Sequence, residues 1–306
     1  MGTRDNTQVS ELRDLIAQLT SRDGAHQTAI TSLRLMRYSF SLPPLCGVLS
    51  TALGICAQGQ KELLLGDKEV YAYGPGQYFV TSFELPLSAR ILGATPAKPY
   101  LGLALQFNLT SIRALIEEAR LPTPAEGAFK RGLYVSPAAP SLLDAVLRLV
   151  RLLLRPVEIP VLAPMIEREI LFRLLLDKSS VILHRMAQAD SQPQRIAVAI
   201  VWLRKHFREA FRVHDLARKA GMSISSFHQW FREITGMSPL QFQKQLRLQE
   251  ARSILRNEQK DVGTVSRRVG YESSSQFSRE YSRLFGNPPI QEVSGRLSPK
   301  ADSNSY

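Results

Sequence analysis

The last hundred residues of the chain repeat one pattern at a spacing of about 50. Leu216 to Met222 leads through Ser223, Ser225 and Ser226 to Phe227, Trp230 and Phe231, and closes at Thr235-Gly236. Val265 to Tyr271 leads through Ser273, Ser274 and Ser275 to Phe277 and Tyr281, and closes at Phe285-Gly286. Pro239 and Pro288 follow the two closures. Gly221 and Gly270 permit a tight turn between helices that cross steeply. The serines after each turn accept hydrogen bonds from the first free amides of the next helix. Each second helix carries two aromatics four residues apart, so it has one apolar face. The pattern predicts a helix-turn-helix, present twice.

The opposite faces of the second helices carry Ser225, His228, Gln229 and Arg232 in the first copy. They carry Ser275, Ser278, Arg279 and Ser282 in the second. Small, mixed polar faces suit base edges and phosphates in a major groove, although any solvated helix can look alike. Charge separates these readings. The chain carries a net +12, and from Gln194 onward it has 19 lysines and arginines against 10 acidic residues. Two polar helices in tandem within a basic segment favour the groove over solvent.

These residues resemble the AraC/XylS family of bacterial regulators over about Arg195 to Val293. The resemblance rests on Leu216-Ala217, Ala220-Gly221-Met222, Phe227 to Phe231, Thr235-Gly236 and Ser238-Pro239. It continues through the connecting segment Leu246 to Leu255, then Val269-Gly270-Tyr271, Phe277-Ser278-Arg279 and Phe285-Gly286. It implies that both second helices enter successive major-groove segments of double-stranded DNA. The base-facing family positions fall on Ser225, His228 and Gln229, then on Ser274, Ser275, Ser278 and Arg279. Three departures lie in the second unit. Ser266 stands where alanine is usual. Gly263 sits inside the first helix, where glycine costs on the order of 1 kcal/mol relative to alanine. Ile290 to Val293 replaces an aromatic-basic ending.

The N-terminal part is similar to one branch of the same family. The stretches are Ile55 to Lys61, Leu65 to Asp67, Tyr73 to Gly76, Phe83 to Pro86, Ala94 to Tyr100 and Pro160 to Ile170. They imply a cupin-like barrel used for effector sensing or dimerisation. The residues agree independently with a β domain. Short apolar runs at Leu45–Leu53, Glu62–Leu65, Val70–Tyr73, Tyr78–Phe83, Ala89–Leu92 and Tyr100–Phe107 are separated by turns such as Gly66-Asp67 and Gly74-Pro75-Gly76. A helix over Leu109–Ala119 interrupts them. Helices follow over Leu142–Leu153 and 163–186, with Pro156 and Pro160 breaking the chain between them. Leu12, Leu15, Ile16 and Leu19 mark a short N-terminal helix or a loose arm.

The expected fold class is α+β, an N-terminal cupin-like antiparallel β-barrel with helices and a C-terminal all-α double helix-turn-helix domain. The segments are 1–34 as an N-terminal arm or helix, 35–186 as the sensor or dimerisation domain with helices, 194–295 as the DNA-binding domain and 296–306 as a tail. The stretch from Ala187 to Pro193 reads as a linker. The expected partners are double-stranded DNA, RNA polymerase, a small-molecule effector of unknown identity and a second copy of the chain. No membrane partner and no cofactor are expected. No stretch of 18 apolar residues occurs and the first residues are polar, so a cytoplasmic location is expected.

Enzyme readings find little support. None of the five histidines, His26, His184, His206, His214 and His228, lies within 35–135, where a metal-dependent cupin would need them. No nucleophile elbow, P-loop or dinucleotide fingerprint occurs. Cys46 and Cys56 are either a redox switch or two buried apolar residues. Arg148, Arg151 and Arg155 either grip a phosphorylated effector or form a solvated basic face. The apolar stripe Leu142, Val146, Leu149, Val150 and Leu153 meets either a partner or the barrel.

Overall fold

The computed structural model describes residues 2–49, 51–65, 69–81, 85–122, 132–177, 180–187, 191–258 and 260–294. The Gly66-Asp67 turn, Phe83-Glu84, residues 188–190 of the expected linker, the Cys46 side chain and the 296–306 tail lie outside the described residues. The chain divides into two compact units, residues 1–197 together with 229–236, and residues 198–228 together with 237 onward.

The first unit opens with α1 (Gly2–Leu19). This helix is no loose arm: Leu12 and Ile16, one turn apart, are fully buried. Among the described residues ten strands follow, β1 (Gly24–Gln27), β2 (Leu33–Tyr38), β3 (Leu42–Leu49), β4 (Ala52–Gln58), β5 (Gln60–Leu65), β6 (Glu69–Tyr73), β7 (Gln77–Thr81), β8 (Leu85–Leu92), β9 (Tyr100–Gln106) and β10 (Leu133–Pro137). They form two antiparallel sheets, in the orders β1-β2-β9-β4-β7-β10 and β3-β8-β5-β6. The run Leu45–Leu53 is therefore the end of one strand and the start of another, in different sheets. Side chains of the two sheets meet: Tyr73 of β6 packs edge-on against Phe79 of β7, with ring centroids 5.3 Å apart. Its hydroxyl lies 3.4 Å from that of Tyr100 on β9.

The α-helices that complete this unit are α2 (Leu109–Glu118), α3 (Pro140–Arg151), α4 (Ile159–Leu175) and α5 (Ser180–Ala187). Asn108 caps α2 by accepting from the Ser111 amide at 2.6 Å. The expected helix 163–186 is two helices, and Pro160 lies in the first turn of α4, where its missing amide costs nothing. The α3 stripe is consumed inside the unit, with Leu142, Val146, Leu149 and Val150 at most 3% exposed.

The remaining described helices are α6 (Gln192–His206), α7 (Val213–Lys219), α8 (Ile224–Thr235), α9 (Pro239–Asn257), α10 (Val262–Arg268), α11 (Ser274–Phe285) and α12 (Pro289–Ser294). Ser238 and Gln241 form a reciprocal capping box at the start of α9, behind which Pro239 takes the first helical position. The core of the second repeat joins Leu248, Ala251 and Leu255 of α9 to Val265 of α10 and to Phe277 and Tyr281 of α11.

Candidate nucleic-acid interface

Both repeats build the same local geometry. Gly221 and Gly270 stand at φ +65° and +92°, the left-handed region that the turn between two steeply crossing helices demands. Ser223 accepts from the Ser226 amide at 3.3 Å and Ser273 from the Gln276 amide at 3.2 Å, so each second helix starts on a serine cap. On α8, Phe227 and Phe231 are fully buried and Ile234 is nearly so. Ser225, His228, Gln229 and Arg232 are exposed. On α11, Phe277 and Tyr281 are fully buried. Ser274, Ser275 and Arg279 are exposed and Ser278 is half-buried.

Local bonds shape these faces further. The Gln229 side-chain amide donates to Glu233 at 3.3 Å, one turn along. Ser225 and Ser223 share a hydroxyl contact of 3.4 Å. Ser274 lies 3.1 Å from the hydroxyl of buried Ser266, which also donates to the Gly263 carbonyl at 2.9 Å. Ser266, where alanine is usual, thus joins α10 to the start of α11. Ser282 donates to the Ser278 carbonyl at 2.8 Å and turns back on its own helix. Gly263 is not in a helix interior. It is the second residue of α10, in the turn capped by Asp261, whose carboxylate accepts from the Thr264 amide at 2.8 Å. Bonds from Thr264 hold that carboxyl below its usual range.

The supports of the interface are residues that sequence reasoning passed over. Arg247 of α9 donates to the carbonyls of Phe207, Gly270, Arg208 and Glu209 at 2.6, 2.7, 3.1 and 3.2 Å. Gln243, one turn earlier, donates to the Phe207 and Glu209 carbonyls at 2.9 and 2.6 Å. Glu280 on α11 accepts from Lys244 at 2.7 Å and from the Tyr271 hydroxyl at 2.8 Å, which fixes α11 to α9 and to the turn. Trp202 stacks on His206 with centroids 4.6 Å apart, and the Lys219 ammonium lies 5.9 Å from the Trp202 ring centre. Trp202 and His206 therefore serve packing.

The N-terminal candidates resolve differently. Cys56 is fully buried, its thiol donates to the Gln58 and Gly59 carbonyls at 3.4 Å, and burial pushes its pKa up to about 12. That is a core cysteine, poor in thiolate. The three arginines are engaged: Arg148 with Asp144 and Glu169 at 3.0 and 2.6 Å, Arg151 with Glu11, and Arg155 with Glu158 at 3.6 Å. They form an ion-paired surface, not an open phosphate grip. Among the described residues no group of three or more His, Cys, Asp or Glu is placed to hold a metal ion. No described helix is long and apolar enough to cross a membrane.

The family model of the AraC-type transcriptional regulator N-terminus matches residues 29–181, half of the chain. The chain belongs to the AraC family. A helix-turn-helix family model matches residues 216–292, which covers both repeats of this AraC-family regulator. The HTH-type transcriptional activator RhaS of Escherichia coli is 30% identical over 132 residues, 42% of this chain and 46% of RhaS. The match thus spans about half the length of that curated relative. Among solved structures, a lysine-to-alanine variant of apo ToxT from Vibrio cholerae superposes with a TM-score of 0.55 at 8% identity, covering 89% of this chain and 98% of ToxT. ToxT bound to (E)-4-(8-methylnaphthalen-1-yl)but-3-enoic acid gives 0.57 at 10% identity, covering 86% and 98%. At such identities the likeness is one of fold. The AraC-family protein described here is a DNA-binding transcription regulator with an N-terminal AraC-type domain and a C-terminal pair of helix-turn-helix units.

Proposed function

We propose that this regulator reads two successive major-groove segments with the outward faces of α8 and α11, and that its N-terminal unit adjusts that binding when a small molecule is bound. The tandem carries the reading. Two helices related by an internal repeat each bury an aromatic face and expose a polar one, within the most basic part of the chain. His228 and Gln229 sit mid-face on α8 and Arg279 on α11, where side chains reach base edges. Ser225, Ser275 and Ser278 are small enough for close approach. Arg232 suits a phosphate. Ser274, tied to Ser266, helps to set the angle at which α11 starts. The protein acts by binding in the cytoplasm, without catalysis. The name of its relative RhaS supports activation, with RNA polymerase as the partner at the promoter.

Gln229→Ala should weaken binding to the cognate duplex by roughly 1–3 kcal/mol and leave a scrambled duplex almost unaffected. The check is a paired titration of the full chain at one salt concentration. An equal loss on both duplexes would remove Gln229 from the readers.

The same proposal includes a homodimer. The α3 stripe is unavailable for it, but another apolar surface is exposed beside it. Val157, Val161 and Met165 are 93, 66 and 63% exposed, on the turn before α4 and on α4 itself. Arg155 and Glu158 flank them, so the patch offers both charges and is complementary to itself across a two-fold axis. Val161→Glu should leave the far-ultraviolet circular dichroism of the folded chain unchanged, because the site is exposed in the single chain, and should shift light scattering from dimer to monomer. A monomeric parent protein at working concentration contradicts the dimer.

A further inference from the structure

Ile224 is the first residue of α8. The helix buries Phe227, Phe231 and Ile234, which are at most 2% exposed, whereas its other isoleucine, Ile224, is 47% exposed. Ser223 caps the helix. Its carbonyl accepts from the Phe227 amide at 2.8 Å and its hydroxyl from the Ser226 amide at 3.3 Å. Ile224 therefore holds the first position after the cap. Cα–Cβ bonds on a helix tilt toward its N-terminus, so this side chain leans over the entry of α8 and not along its flank. His228, exposed and a proposed reader, follows it by one turn on the same side. Ser225, the next residue, is exposed and too small to hold a duplex away.

The second repeat places a different residue here. Counted from the caps Ser223 and Ser273, the counterpart of Ile224 is Ser274, whose hydroxyl lies 3.1 Å from that of Ser266. Where the second repeat has Ser266, the first has Ala217, which offers no hydroxyl. The motif therefore does not require an aliphatic residue at this position, since serine fills it in the other copy. A scattered apolar residue on a surface needs no explanation by itself, but this one lies at the end of α8 that meets base edges in a helix-turn-helix. An isoleucine side chain has no donor or acceptor, so it bonds neither a phosphate nor the polar edge of a base. The apolar group that a base pair shows in the major groove is the 5-methyl of thymine. Contact between that methyl and an aliphatic side chain takes both out of water.

We infer that Ile224 is a specificity-determining residue that reads the 5-methyl group of one thymine in the groove segment occupied by α8. A G·C pair at that place would set polar base atoms against an aliphatic side chain that cannot satisfy them. This inference rests on the proposed reading by α8 and α11 and adds the chemical group recognised at the entry of α8.

The test uses the full chain and the duplex that it selects from a random library. The first block is the set of bases that Gln229→Ala ceases to fix. Each thymine in or beside that block, on either strand, is replaced singly by uracil, which removes the methyl group and keeps the pairing edge. One replacement should weaken binding by the parent protein about fourfold, the worth of burying one methyl-sized group. Ile224→Ser should bind the thymine duplex about fourfold more weakly than the parent does, and should bind the thymine and uracil duplexes alike. Its affinity for a scrambled duplex and its far-ultraviolet circular dichroism should stay as in the parent. Ile224→Val should keep part of the discrimination. A block without an A·T pair, or uracil tolerated by the parent protein at every position, overturns the inference without recourse to any variant. A uracil effect that survives in Ile224→Ser assigns the methyl to another residue and overturns it too, as does an equal loss by Ile224→Ser on cognate and scrambled duplexes. These failures leave the reading by α8 standing as long as Gln229→Ala flattens a block. If Gln229→Ala flattens none, α8 does not read bases and the inference falls with that reading.

Discussion

Arg247→Ala is expected to destabilise the C-terminal unit by about 2–5 kcal/mol. The guanidinium bonds four backbone carbonyls that belong to the segment after α6 and to the turn of the second repeat. Gln243 continues to serve the Phe207 and Glu209 carbonyls in the variant. The carbonyls of Arg208 and Gly270 lose the Arg247 donor; water can reach the exposed Arg208 carbonyl, whereas the part-buried Gly270 carbonyl left unsatisfied costs roughly 1–3 kcal/mol. Arg247→Lys should recover only part of the loss, because a single ammonium cannot copy a planar fork that spans these acceptors. Trp202 lies in this unit, so its fluorescence during urea unfolding, followed in a Trp230→Phe background, reports it directly. A loss below about 0.5 kcal/mol, the scale of an ordinary surface substitution, would show that the carbonyls find water and that the hub is dispensable.

Gly270→Ala is expected to cost a similar amount by a different route. The position has φ +92°, and a Cβ there would stand 2.3 Å from the Arg208 carbonyl oxygen and 3.0 Å from its carbon. Left-handed backbone costs a non-glycine residue roughly 1–2 kcal/mol. Overpacking against backbone, which cannot rotate away, adds roughly 1–3 kcal/mol. Gly286→Ala is the matched control. It has φ +81° with nothing within 4 Å of the added carbon, so only the conformational part applies. The expected order of midpoints in one urea series is parent, then Gly286→Ala, then Gly270→Ala. Equal losses in the two variants would mean that the Arg208 segment yields to the new methyl group.

The part of the fold that the sequence made legible is the part whose signals are local. The turn glycines, serine caps and paired aromatics of each repeat lie within about twenty residues, and each has a conformational reason that needs no partner elsewhere. The polar faces of α8 and α11 followed from the same periodicity. The N-terminal sheets were read less well because their signals are distributed. β1 is Gly24-Ala25-His26-Gln27, with no buried residue, and it is a strand only because β2 pairs with it. The apolar run Leu45–Leu53 passes from a strand of one sheet to a strand of the other, because hydrophobicity does not mark where a strand ends. Leucine and isoleucine spacing also continued across the break between α4 and α5. Arg247 and Gln243 escaped notice since side chains that bind distant carbonyls leave no sequence pattern.

Two helices reading DNA, each at its own segment of the groove, must leave a two-part footprint in sequence preference. Selection of full-length protein on a library of random duplexes, followed by sequencing, tests this directly. The expected result is an enriched site with two blocks of fixed bases separated by about one helical turn, roughly 10 base pairs. Gln229→Ala should flatten the first block and Arg279→Ala the second, each leaving the other in place. Enrichment of a single block that neither substitution alters, or of no sequence at all, would contradict tandem reading.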